Sequence, residues 1–419
     1  MTTYSAVRTT GIYCRPGCGA KPLAENVRTF ELAAAAEAAG YRACLRCRPY
    51  RVAGPIAADA PELVCRAVRL VIDGTLDRGN ETELAARLAV SSRHLRRLFQ
   101  QHLGVTPDQL ARSRRAHFAR RLLDDSELTM VDVAFASGFG SLRQFNRDMR
   151  QVFRASPRDL RERRRKGDRL AADGGLSMRL PCQESYDWDA VVGCLAERAV
   201  PGVESVEGRT YRRTISLDGG AGVLELGPGT AHSGAERPGA VTHLLLRAHL
   251  PFWEGLIHVV ERVERMVGTG VTGVSHTGVD TDTDTDTVPG AWGPLETAVQ
   301  TVLAHDSGTA AEAARRTGAL AHHLGRPVPG LTHGLDRLFP SADVLAAADY
   351  APTGLPESAV ETVTALARAV TAGEVILDGG AEPGSLVASL TRVPGLAPAA
   401  ARTIAHRLGA RPRQAALHP

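Results

Sequence analysis

ETELAARLAVSSRHLRRLFQQHLGVTP, residues 81–107, reads as helix, tight turn, helix. Its apolar residues recur three and four apart, the spacing of a half-buried helix. Ser91 or Ser92 is placed to cap the second helix. Leu95, Leu98 and Phe99 supply that helix's apolar face, and His94, Arg96 and Arg97 its polar positions. A second unit follows at residues 129–157, TMVDVAFASGFGSLRQFNRDMRQVFRASP. Ser137-Gly138-Phe139-Gly140 is its turn, and its second helix is expected to start near Ser141. A long helix over about residues 108–123 joins the two units.

Charge points the same way. The 419-residue chain carries a net charge of only +4. Residues 91–169 alone hold nineteen Arg or Lys against nine Asp or Glu, a balance of +10. The remainder is therefore acidic. Basic charge gathered on a helical segment is the footprint of a nucleic-acid binder. A solvated helix face is the alternative, but this segment also carries paired helix-turn-helix patterns.

Upstream lies GIYCRPGCGAK, residues 11–21, with YRACLRCRP further on. Cys14, Cys18, Cys44 and Cys47 are four of only seven cysteines in the chain. No run approaches the ~18 apolar residues of a membrane span. The N-terminus lacks the basic-then-apolar pattern of a signal peptide. A cytoplasmic, nucleoid-associated protein is therefore expected, where thiols stay reduced and paired cysteines mean metal or catalysis more often than disulfides. Two close pairs joined by a longer loop can bring four thiolates to one tetrahedral zinc. Such a zinc could be purely structural, stapling a unit too small to fold alone. Cys65, Cys182 and Cys194 are scattered among apolar residues and are expected as small buried hydrophobes.

The residues around the four cysteines make a sharper reading available. TTGIYCRPGC, AENV and AAGYRACLRCRP closely resemble the N-terminal domain of the Ada family, regulators of the bacterial adaptive response to alkylation. The resemblance implies that Cys14 is both ligand and nucleophile, taking a methyl group from a methylated DNA phosphate, with Cys18, Cys44 and Cys47 as the other ligands. It also implies that Arg8, Thr10, Lys21 and Arg42 meet the DNA backbone. The electrostatics fit. Four thiolates on a divalent zinc carry a formal −2, which repels a phosphodiester but not a neutral methyl phosphotriester. Methylating Cys14 lowers that charge to −1. At ~10 Å one charge is worth roughly 0.4 kcal/mol in water and ~1.7 at an effective dielectric of 20. Summed over several phosphates, the change would turn a lesion detector into a tighter DNA binder. No step restores the thiol.

The two helix-turn-helix units resemble the AraC-type DNA-binding domain over residues 61–165, and FNRDMRQVFRASPRDLR is close to that family's C-terminal signature. Base contacts are expected from Ser92, Arg93, Arg96 and Arg97 in the first unit and Ser141, Arg143, Gln144 and Arg147 in the second. Arg suits G and Gln suits A, while some of these side chains meet only phosphate.

After the charged linker at residues 161–175 the pattern changes. RTYRRTISL, GVLEL and THLLLRAHL alternate as strands separated by Gly-rich turns. LPCQESYDWDAVVGCLAERAVPGVESVEGRTYRRTISL resembles the N-terminal domain of the AlkA-type 3-methyladenine DNA glycosylases. VDTDTDTDT, residues 279–287, reads as an acidic loop. GPLETAVQTVL, RLFPSADVLAAAD and RVPGLAPAAARTIAHRLG resemble the glycosylases' helical domain. There the helix-hairpin-helix motif departs from pattern, with Ala397 and Ala399 where a Gly and a Trp are usual. Ala is poor wherever positive φ is needed. The family's catalytic Asp is not met before Leu417-His418-Pro419, so loss of base excision is expected.

The expected fold is multidomain α+β. It comprises a small zinc domain (1–52), an all-α double helix-turn-helix domain (61–166), an α+β AlkA N-terminal-like domain (176–278) and a partial all-α helix-hairpin-helix domain (289–419). Three functions follow. One is a methylation-activated transcription regulator working as a single-turnover methyltransferase. Another is a 3-methyladenine DNA glycosylase with an appended sensor. The last is a zinc-stapled DNA binder without chemistry. Expected partners are double-stranded DNA, at methylated backbone and promoter sites, and RNA polymerase. No membrane partner is expected, and two tandem reading units make a monomer sufficient.

Overall fold

The structure is a computed structural model and describes residues 3–20, 22–51, 60–165, 169–170, 174–182, 186–229, 241–269, 291–378 and 380–408. Lys21, the acidic run at 279–287 and the terminal 409–419 lie outside the described residues.

The N-terminal lobe is built on a sheet. Strands β1 (Tyr4–Val7), β2 (Ile12–Cys14), β3 (Val27–Phe30) and β4 (Arg42–Ala43) pair in the order β3-β1-β2-β4, with helix α1 (Ala33–Ala38) between the last two. Its strands are only two to four residues long, too short for alternation to announce them.

Eight helices follow: α2 (Glu62–Ile72), α3 (Thr75–Arg78), α4 (Glu81–Arg87), α5 (Ser92–Leu103), α6 (Pro107–Asp125), α7 (Met130–Ala136), α8 (Leu142–Phe153) and α9 (Pro157–Glu162). Their limits follow from capping. Ser91 Oγ accepts from the His94 N–H, so Ser91 is the cap of α5 and Ser92 its first residue. Thr106 and Gln109 form a reciprocal capping box at α6, with Pro107 at the first helical position. Ser141 caps α8 through the Gln144 N–H. Leu95, Phe99 and Leu103 bury the inner face of α5, and Phe145, Met149 and Phe153 that of α8. Gly138, in the turn between α7 and α8, has φ +78°, and a Cβ there would meet Asp77 Oδ2 at 2.6 Å. Only glycine makes this turn without strain.

The next unit is an antiparallel sheet of β5 (Leu176–Pro181), β6 (Glu204–Glu207), β7 (Thr210–Leu217), β8 (Gly220–Pro228) and β9 (His243–His249), ordered β5-β9-β8-β7-β6. Helix α10 (Trp188–Arg198) joins β5 to β6, and α11 (Leu256–Val267) follows β9. Fully buried Trp188 donates its indole N–H to the Arg209 carbonyl at 2.9 Å.

The remaining described residues form α12 (Pro294–Ser307), α13 (Ala310–Leu324), α14 (Ala342–Ala347), α15 (Glu357–Thr371), α16 (Pro383–Thr391) and α17 (Pro398–Arg407). Leu303, Leu320, Val363, Leu366, Leu390 and Ile404 are the centre of their core. A separate core runs unbroken from Tyr13 of the first lobe, through Phe118 and Leu122 of α6, to Leu244 and Val260 beneath the five-stranded sheet. The long helix α6 is therefore the beam on which both neighbours rest. Among the described residues no helix is long and apolar enough to cross a membrane.

Candidate metal centre and nucleic-acid interface

Cys14 closes β2, Cys18 follows a turn, and Cys44 and Cys47 flank the turn after β4. Parallel pairing of Ile12 with Arg42 and of Tyr13 with Ala43 brings the two cysteine segments side by side. The four Sγ atoms lie within 4.8 Å of one another. A tetrahedral site with Zn–S of ~2.3 Å has S–S edges of about 3.8 Å. Protonated, these thiols form an awkward cluster. Burial and the neighbouring sulfurs of Cys47 and Cys44 push the Cys14 thiol well up. Burial pushes Cys47 up to about 12, against the backbone N–H of Arg15. At Cys44 burial acts upward too, but the backbone N–H groups of Cys47 and Arg46 bring it below the ordinary thiol value. A divalent cation relieves this opposition by stabilising all four thiolates together. Donor set and geometry fit zinc.

Cys14 is 7 % exposed and Cys44 9 %, whereas Cys18 and Cys47 are half-buried. Exposure alone would rank Cys18 or Cys47 as the reactive sulfur. Of the residues expected at the DNA backbone, Arg8 and Thr10 are exposed at the end of β1, and Arg42 is half-buried beside Cys44. Cys65, Cys182 and Cys194 are half-buried, less enclosed than expected.

The first reading helix presents Arg93 and Arg97 outward, and Arg97 Nη2 lies 3.1 Å from His94 Nδ1. Arg96 differs, because its Nε is bound to the Glu81 carboxylate, itself buried. In the second, Ser141 and Arg143 are exposed and Gln144 is half-buried. Ser141 Oγ is occupied as a cap, and Gln144 Oε1 accepts from the Gly140 N–H at 3.2 Å. Arg147 is largely exposed and pairs with buried Asp148 at 2.9 Å. Sequence reading passed over Leu142, an apolar side chain 39 % exposed at the head of this helix.

It also passed over the joints between units, which link residues far apart in sequence. Tyr13 Oη donates to Glu37 Oε1 at 2.6 Å and lies 3.1 Å from His117 Nε2 of α6. Burial first, then the Glu37 carboxylate, raise the Tyr13 phenol well above its usual range. Asp124, wholly buried near the end of α6, meets Arg120 at 2.8 Å, Arg48 at 3.6 Å and the Tyr50 hydroxyl at 2.8 Å. On its other side α6 sends Arg114 to Glu261 and Arg121 to Glu264 of α11, at 3.0 and 3.2 Å. Asp77 takes Arg115 at 2.7 Å and His258 Nε2 at 2.9 Å. The excess basic charge of the helical unit is partly met by acids of the unit after it.

In the C-terminal helices, Val393–Ala397 forms the hairpin between α16 and α17. Gly395 has φ +78°, while Ala397, where a second Gly was expected, has an ordinary φ of −61°. Alanine is accommodated there without strain. Asp306 pairs with Arg316 at 2.7 Å, Asp349 accepts from the Ala351 N–H and Asp343 from the Thr371 hydroxyl. Each of the three acids already serves a local structural bond.

Comparisons with known proteins agree with this order of units. Residues 2–50 match the metal binding domain of Ada, residues 84–163 a helix-turn-helix domain, and residues 177–270 the AlkA N-terminal domain. Over 416 residues the chain is 36 % identical to the "Probable bifunctional transcriptional activator/DNA repair enzyme AlkA" of Mycobacterium tuberculosis, covering 96 % of this chain and 82 % of that protein. It is 38 % identical over 130 residues to the "Bifunctional transcriptional activator/DNA repair enzyme Ada" of Escherichia coli K12, covering 30 % of this chain and 35 % of that one. Among solved structures, a 3-methyladenine DNA-glycosylase from Archaeoglobus fulgidus aligns with 15 % identity over 54 % of this chain and 77 % of that one, at a TM-score of 0.41. Four cysteines gathered as a zinc site, paired helix-turn-helix units and an AlkA-like sheet, matched to one relative along 96 % of this chain, place it in the family of bifunctional Ada/AlkA-type transcriptional regulators and DNA repair proteins.

Proposed function

We propose that the chain is an alkylation-responsive transcription regulator that accepts a methyl group from DNA methyl phosphotriesters on Cys14 and then binds promoter DNA more tightly. The observation that carries this reading is the convergence of four sulfurs at one site in a lobe matching the metal binding domain of Ada. Zinc, when bound, keeps the four sulfurs deprotonated and electron-rich. Cys14 Sγ attacks the methyl carbon as the methyl C–O bond breaks. The bonding electron pair stays on the phosphate oxygen, leaving an ordinary phosphodiester and a thioether at Cys14. No external reductant enters and the thiol is not restored, so each molecule reacts once. Arg8, Thr10, Lys21 and Arg42 hold the DNA backbone against the lobe. Arg93, Arg97, Arg143 and Arg147 supply most of the contacts from the reading helices. Ser92, Ser141, Arg96 and Gln144 add contacts from the helix heads and flanks.

In this reading residues 1–52 sense the lesion, 61–166 bind the promoter, and 176–278 with 289–419 form a glycosylase-derived platform. A monomer suffices, since tandem units read both half-sites. RNA polymerase is the partner that converts binding into transcription, and the protein works in the cytoplasm on the nucleoid. The test is a pair of binding titrations on a duplex selected from a random pool. The zinc-loaded chain is assayed before and after incubation with DNA bearing methyl phosphotriesters. Tenfold or greater tightening that is lost in Cys14→Ala supports the reading. Equal affinity before and after contradicts it.

A further inference from the structure

The Tyr13–Glu37–His117 joint lies where a chemical event at Cys14 meets a reading helix. Tyr13 directly precedes Cys14 on β2 and is fully buried. Successive residues of a strand face opposite ways. With Cys14 toward the sulfur cluster, Tyr13 faces α1 and α6, where its hydroxyl shares Glu37 Oε1 with His117 Nε2 at 2.6 Å from each. The His117 ring packs against Phe153 at 5.7 Å between centroids and edge-on to Tyr50 at 6.2 Å. Phe153 is the last residue of α8, the second reading helix, and Tyr50 lies three residues after Cys47. One imidazole thus touches both cysteine segments' supports and the end of the helix that reads DNA.

A buried polar cluster of this kind is a costly way to glue two units. Apolar side chains of the same volume would hold them as well, whereas hydrogen-bonded groups fix one register. Cys14 is also enclosed, and close-packed surroundings do not absorb an added methyl group without a shift. The short strand carrying Cys14 carries Tyr13 on its other face. Displacement at the sulfur is thereby delivered to Glu37 and His117.

We propose that His117, held by Tyr13 and Glu37, is a positioning residue that transmits the methylation state of Cys14 to α8, adding a mechanical contribution to the change in charge. This rests on the methyl-acceptor reading above. The test uses full-length zinc-loaded protein, wild type and His117→Phe, which keeps the ring and removes the polar node. Tyr13→Phe, which removes one hydroxyl, poses the same question should His117→Phe fail to fold. Methyl transfer is followed by mass spectrometry with methyl phosphotriester DNA. Affinity is measured with and without methylation on a duplex selected by the methylated wild-type protein. The expected result is normal transfer and near-normal affinity of the unmethylated form. The affinity gain on methylation should shrink by about fivefold or more, the low end of ordinary coupling free energies. An undiminished gain in the variants overturns the joint and leaves the methyl-acceptor reading intact. Loss of transfer in a folded variant also overturns it, since His117 would then serve the acceptor itself. No methylation of the wild type removes the underlying reading, and the joint with it.

Discussion

Arg213 of β7 and Glu296 of α12 form a doubly hydrogen-bonded ion pair, Nη2 lying 2.9 Å from Oε2 and 3.2 Å from Oε1, with both residues buried. Arg213 also reaches Glu204 at 2.9 Å and lies beneath the ring of Trp292. The pair clamps the five-stranded sheet to the C-terminal helices. Removing Glu296 takes from buried Arg213 one of its two carboxylate partners and leaves only Glu204, a loss of up to about 3–5 kcal/mol. Glu296→Leu should therefore lower the urea midpoint substantially. Arg213→Met with Glu296→Leu should recover only part of that loss, because Glu204, its side chain 7 % exposed, then loses its guanidinium partner. Tryptophan fluorescence during urea unfolding reads both.

Zinc removal should act locally. The lobe of residues 3–51 is small, and its strands are too short to stand without the metal. A strong chelator should abolish amide-exchange protection in β1, β2 and β4 and leave α5, α8 and the five-stranded sheet protected. Hydrogen exchange with mass detection shows this directly. Cys44→Ala should mimic the chelator.

Glu264 gives stability an unusual pH dependence. Burial pushes its carboxyl up to about 7, with Arg121 pulling the other way. In the unfolded chain it ionises near the ordinary carboxylate value, so the folded state binds more protons between the two. Its contribution is fully present below the ordinary carboxylate value and is lost as pH rises through about 7. Glu264→Gln leaves Arg121 without its carboxylate and so lowers stability overall, but it should flatten the slope between pH 5 and pH 8. Thermal melts across this range check it.

The reading helices should separate recognition from stability. Arg143 is exposed and, among the described residues, makes no side-chain bond that holds the fold, so Arg143→Ala should weaken specific binding by ~1–3 kcal/mol at unchanged melting temperature. Arg96→Ala should instead destabilise the domain by about 1–3 kcal/mol, because it leaves the Glu81 carboxylate buried without its guanidinium. Calorimetry and DNA titration on the same two variants distinguish the cases.

What could be read from sequence alone had a local signature. Ser91 and Ser141 mark their helices by capping chemistry that acts within a few residues. The long helix α6 announced itself by length, and Cys14, Cys18, Cys44 and Cys47 by spacing. The lobe's strands stayed hidden because two to four residues cannot show a period. At Ala397 an unfavourable residue type proved harmless, since the local φ is ordinary. Nothing in the chain pairs Glu37 with His117, eighty residues on, or Arg213 with Glu296. Such contacts are made only by tertiary packing, and they are where the units of this molecule meet.

Cys14, rather than its more exposed neighbours Cys18 and Cys47, is the proposed methyl acceptor. Zinc-loaded protein should be incubated with duplex DNA bearing methyl phosphotriesters, digested, and mapped by peptide mass spectrometry. One methyl group is expected, confined to the peptide carrying Cys14, at no more than one per molecule. A methyl on Cys18 or Cys47, or none on a fully metal-loaded protein, would contradict it.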